Sequence, residues 1–140
     1  MTRISFLHGV PHRLKAAADW LTRASGEGRS VVVFAPDPAV ADWLDRQLWV
    51  QPATGFVPHC RAGSPLAAET LVVIADRLPA ATDAALLNLD SEIPAGFEGC
   101  REVIEIVSTD DADRLPARER YRRYREQGHE LSNLSMGTLP

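Results

Sequence analysis

The sequence predicts an α/β fold: a single three-layer domain with a mostly parallel central sheet. Three observations carry that prediction. The runs VVVF at 31–34 and LVVIA at 71–75 have the length and branching of strands buried on both faces. Segments with apolar residues at helical spacing fall between such runs, and alternating strands and helices build parallel sheets. The chain has 140 residues, 45% of them apolar, which suits one core and argues against disorder.

The elements follow in order. Residues 3–8, RISFLH, read as a first strand. A helix over 13–28 places Leu14, Ala17, Ala18 and Leu21 on one face, with Gly26 and Gly28 as its stop. Residues 30–35 form a buried strand. Asp37 then supplies an N-cap and Pro38 the first helical position of PAVADWLDRQLW, which carries Val40, Trp43, Leu44 and Leu48 on one side. Residues 50–66, with three prolines and two glycines, read as irregular. Strands are expected at 70–76, 84–90 and 101–108. The last helix spans 110–128 and stops at Gly128; Pro116 either starts it, with 110–115 as a separate turn, or kinks it. The crossover rule puts the first two helices on a sheet face. The whole chain, 1–140, reads as one domain, with 132–140 a loose C-terminal tail.

Charge is distributed unevenly. The net charge is −4, yet the stretch from Arg114 to Glu126 holds six arginines against two glutamates. That local +4 leaves −8 for the rest of the chain. An acidic body with one basic helix points to a local acidic partner, such as a peptide or a carboxylate, rather than to a long nucleic-acid footprint. No apolar run approaches the ~20 residues that cross a membrane, and MTRISFLHGV lacks the apolar core of a signal peptide. Cys60 and Cys100 make no disulfide framework, so a cytoplasmic location is expected.

The usual chemistries of an α/β sheet find little support. A phosphate loop needs glycines before a lysine, and the single lysine, Lys15, follows no such loop. GEG at 26–28 follows a helix, where a dinucleotide fingerprint would follow a strand. LVVIAD at 71–76 resembles a magnesium-holding strand, but apolar strands often end in Asp as a cap. His8 and His12 are separated by Gly9 and Pro11, and His59 and Cys60 have no ligand-spaced partners, so no metal is expected. Neither Ser64 nor Cys60 sits in a nucleophile elbow. Asp110, Asp111 and Asp113 precede a helix, where its dipole favours negative charge.

Two stretches remain. In LWVQPATGFVPHCRAG (48–63), Trp49 and Phe56 either fold back on the core or form an apolar patch for another protein. In the last helix Arg118, Tyr121, Arg122 and Arg125 share a face, while Arg120 and Tyr124 point elsewhere. Guanidinium groups around a phenol can hold a carboxylate and stack on a ring. The plainer reading is a solvated helix with Glu119–Arg123 and Arg122–Glu126 pairs. Weak, direct binding of single-stranded nucleic acid by the same arginines is an alternative.

Taken together, LW…PA.GFVPH..AG and ARERYRRYRE.GHEL resemble the chi subunit family of bacterial DNA polymerase III, in length and order over nearly the whole chain. The resemblance implies a Rossmann-like or P-loop-like fold without a phosphate-binding loop, no catalytic site and no cofactor. It implies an accessory subunit of the clamp-loader complex that links the replicase to single-stranded DNA-binding protein by holding that protein's acidic C-terminal tail, which ends in an aromatic residue and a free carboxylate. By position Arg118, Arg122 and Arg125 would meet the carboxylates, and Tyr121 with Val107 the terminal ring. Trp49 and Phe56 would face a second partner, the psi subunit or a helicase. Contact with DNA would be mainly indirect.

Overall fold

The computed structural model describes residues 2–50 and 57–135. The described residues form seven strands and three helices, with four strands in succession between α2 and α3: β1 Arg3–Val10, α1 Arg13–Gly26, β2 Val31–Phe34, α2 Pro38–Val50, β3 His59–Arg61, β4 Val72–Ala75, β5 Ala85–Asn88, β6 Glu102–Ser108, α3 Asp111–Glu126 and β7 Glu130–Ser135. They build one open sheet in the order β3-β4-β2-β5-β6-β1-β7, and every neighbouring pair is parallel. None of the helices described is long and apolar enough to cross a membrane.

The helices form where the sequence supplies faces and caps. On α1, Ala17, Leu21 and Ala24 are buried at helical spacing. At α2 the Ala39 amide donates to Asp37 Oδ1 at 3.0 Å, Pro38 opens the first turn, and Ala41, Leu44 and Leu48 face inward. Both helices pack on one core with Val31, Val33, Ile104 and Ile106. The neighbouring β6 residues Val103 and Val107 face the opposite core, which holds Ile4, Phe6, Ala117 and Tyr124. Helix α3 therefore covers the other face, which completes the three layers.

Three sequence expectations change. The segment 50–66 contains β3, a three-residue edge strand paired to β4 from His59 to Arg61. Of the expected loose tail, 132–140, the residues up to Ser135 lie in β7, which pairs with β1 from Arg3↔Glu130 to His8↔Ser135, so their backbone groups gain ladder partners; residues 136–140 lie outside the described residues. Pro116 does not start the last helix. Asp110 caps α3 by accepting from the Ala112 amide at 3.1 Å, and Asp113 accepts from the Ser108 amide at 2.7 Å. These caps begin the helix five residues before the proline, whose missing N–H removes only one early bond. At its other end Gly128, with φ +84°, takes the left-handed position, and the His129 amide donates to the Tyr124 carbonyl.

The connection from β1 runs to α1 on one face, and that from β6 runs to α3 on the other. The two strands are neighbours, so their C-terminal ends flank a topological switch point, where crevices form in open α/β sheets.

Candidate functional site

The sheet-facing side of α3 sets the geometry of the site. Ala117, Arg120 and Tyr124 recur at three and four residues and are buried. Beneath them lies Glu105, fully buried in the middle of β6. Arg120 Nε donates to both Glu105 oxygens at 3.2 Å, and its Nη1 donates to the Ser91 carbonyl at 2.8 Å. The Tyr124 hydroxyl and Asn88 Nδ2 each donate to Glu105 Oε2 at 2.9 Å. Arg13 reaches over the strand ends, donating to the carbonyls of Ile106, Asn88 and Asp90 at 2.9–3.0 Å. Burial, then the neighbouring Arg120, lowers the Arg13 pKa. Burial, reinforced by Glu105, pushes the Tyr124 phenol far above its ordinary range. A carboxylate with this many donors fixes the rotation of α3, and so decides what the rest of the helix presents.

What it presents is a cavity of about 290 Å³ at the C-terminal ends of β1 and β6, beside β7. Phe6, Val107 and Ala117 give it apolar walls, and Tyr121 stands over them. The Tyr121 ring meets the Phe6 ring edge-on at 5.1 Å, and its hydroxyl accepts from Asn133 Nδ2 at 3.1 Å. Arg114, Arg118 and His8 line the same space, and among the described residues no carboxylate does. Arg114 is paired with Asp111. Arg118 has no ion pair among the described residues, so its guanidinium is available to a ligand.

Of the residues expected from the sequence, Val107, Arg118 and Tyr121 come together here. Arg122 and Arg125 do not line the cavity. Arg122 lies exposed between Glu119 and Glu126, whose carboxylates raise its pKa, with Glu119 the larger influence. Arg123 is 3.6 Å from Glu119, so both anticipated i,i+4 pairs form. Arg125 is exposed without an ion pair among the described residues. Sequence reasoning missed Phe6, His8, Ala117 and Asn133. Alternation along β1 is a signal for the first two; Asn133 lies on a strand that was not anticipated.

A larger cleft of about 620 Å³ lies across Ser108, where α1 and α3 begin. Arg13 and Lys15 oppose Asp110 and Asp113 there, so no single charge dominates it. Trp49 lines neither; it is 61% exposed at the end of α2, its ring edge-on to His59 at 5.5 Å. His59 in turn contacts Asp45 Oδ1 and the Val57 carbonyl, each at 2.6 Å. Phe56 lies outside the described residues.

Comparison with known proteins adds a second line. The family model described as "DNA polymerase III chi subunit, HolC" matches residues 1–132. A DNA polymerase III subunit chi from Pseudomonas aeruginosa is 30% identical over 138 residues, 95% of this chain and 96% of the relative. Subunits of the same name from Haemophilus influenzae and Escherichia coli are each 32% identical, over 79% and 75% of this chain and 78% and 73% of their own lengths.

Proposed function

This chain belongs to the DNA polymerase III chi subunit family, a replication accessory subunit, and from that premise we propose that its cavity under α3 receives the acidic C-terminal tail of single-stranded DNA-binding protein. The chain would thereby link the clamp-loader complex of the replicase to coated single strands, with no catalytic step of its own. One observation carries the reading: an apolar slot and the guanidinium of Arg118, which has no ion pair among the described residues, open into the same small space. A terminal aromatic residue needs both within its own length, a slot for the ring and a cation for the carboxylate.

In this reading Val107, Phe6 and Tyr121 hold the ring, and Arg118 takes the terminal carboxylate. Arg122 and Arg125 attract acidic residues farther up the tail. The seven steps from Arg118 to Arg125 rise ~10 Å along the helix, a span of about three residues in extended chain. Trp49, with Phe56, serves the second partner, psi or a helicase. Helix α2 packs on the opposite sheet face from α3, so two partners can bind at once.

Direct binding of single-stranded nucleic acid fits the charges less well. Of the six arginines between 114 and 126, Arg114, Arg122 and Arg123 are ion-paired and Arg120 is buried. A titration followed by fluorescence anisotropy separates the two readings. It uses a labelled acidic peptide ending in Phe, the same peptide without that Phe, and a single-stranded oligonucleotide at the same salt. Saturable binding of the intact peptide alone is expected. Arg118→Ala should weaken it about 10- to 100-fold, the range of a hydrogen bond to a charged group. Tyr121→Ala should also weaken it, and Trp49→Ala should not. Wild-type affinity in Arg118→Ala would remove the assignment.

A further inference from the structure

We infer that His8 is a further contact for the peptide's carboxylates, cationic when protonated, so that the cavity grips its ligand harder in acid than in base. The inference rests on the peptide-receptor reading above and extends it to a residue on the sheet.

Side chains alternate along β1. Ile4 and Phe6 pack under α3, while Leu7 packs in the opposite core. His8 continues the row of Ile4 and Phe6 and lines the cavity beneath α3. It sits in register between Val107 of β6 and Ser135 of β7, so an uncharged residue flanks it on each side. It is exposed, with no hydrogen bond or ion pair among the described residues.

The groups that face it are few. Helix α3 contributes Arg114, Arg118 and the Tyr121 phenol; β6 and the turn after it contribute Val107, Ser108 and Thr109; β7 contributes Asn133. Among the described residues every permanent charge lining the cavity is therefore positive, and Arg114 is already paired with Asp111 just outside it. An imidazolium at His8 gains a counter-charge of its own when a carboxylate enters. Protonation and binding then assist each other, and the complex takes up a proton as it forms. Peptide carboxylates stay ionised well below an imidazole's ordinary range near 6.5, so the ligand's own charge hardly changes across it.

The test is the anisotropy titration at about pH 8 and about pH 6, either side of that range, at fixed ionic strength. Wild-type protein should bind the peptide about three- to fivefold more tightly at the lower pH, the scale of a partly exposed charge pair. His8→Asn should lose the dependence, binding no more tightly at the lower pH than at the higher. His8→Arg should bind tightly at both. The other histidines, His12, His59 and His129, line no part of the cavity, so the His8 variants assign the effect. Full pH dependence in His8→Asn, or a flat wild-type profile with Phe-dependent binding intact, overturns the role of His8 alone. Absence of Phe-dependent binding by wild type at either pH overturns the receptor reading and this inference with it.

Discussion

Helix α3 carries arginines on both its faces, and the two sets have opposite fates. Arg120 is 2% exposed and satisfies Glu105, itself fully buried. Arg118, two positions earlier and so ~200° around the helix, has no ion pair among the described residues and opens into a cavity. The contrast teaches that a run of arginines is not one electrostatic object. Position relative to the core converts one guanidinium into a structural brace and leaves another open to solvent at a cavity.

Breaking the inner face should have the largest effect. Arg120→Met leaves Glu105 buried with Arg13 at 3.7 Å as its nearest remaining cation. Removing one partner of a buried pair costs about 3–5 kcal/mol, and the donors left on Glu105 put this variant near the lower end. Arg118→Ala, on the outer face, should change stability by less than ~0.5 kcal/mol. Urea denaturation measures both. Equal stabilities would mean that the Glu105 cluster does not hold the helix.

Alkaline pH probes the same inner face more gently. Burial raises the Tyr124 phenol, with Glu105 adding to the shift, and burial also raises the Cys100 thiol. Each group's folded-state pKa lies above its unfolded value, so its contribution is fully present below that value and is lost as pH rises past it. The window opens near 9.0 for Cys100 and 10.0 for Tyr124. There stability should fall by about 1.4 kcal/mol per pH unit for each group still protonated in the folded state alone. Tyr124→Phe should start from lower stability, having lost the bond to Glu105, and then fall less steeply. A slope unchanged from wild type would remove Tyr124 from the account.

These effects also mark how far the sequence could be read. Strands with continuous branched runs, such as Val31–Phe34, were legible because burial on both faces leaves no room for polar residues. β7 was not: Leu131 and Leu134 are three apart, so ELSNLS shows no period of two, and its pairing with β1 depends on a crossover that no local pattern encodes. Asn133 stayed invisible for the same reason. The row Arg118, Tyr121, Arg122 and Arg125 could be drawn from helical spacing. Spacing alone could not tell that Tyr121 would rest on Phe6, or that the cavity would end before Arg122. Glu105 was hidden because one charged residue inside an apolar strand reads as an edge until its partners, 15 and 19 residues away, are placed.

The outer face contains a smaller contrast of its own. Arg122 and Arg125 are both exposed and neither lines the cavity, but only Arg122 is held by two carboxylates, Glu119 and Glu126. An acidic tail must displace those carboxylates before Arg122 can serve it, and the exchange of one exposed ion pair for another changes little. Arg125 has none to give up among the described residues. Arg122→Ala should therefore weaken peptide binding by about threefold or less, with the difference vanishing as salt rises, and Arg125→Ala should weaken it more. A larger loss in Arg122→Ala than in Arg125→Ala would mean that the tail opens the Glu119–Arg122–Glu126 cluster on binding. The arginines would then have to be ranked by where the peptide runs rather than by the pairs they hold beforehand.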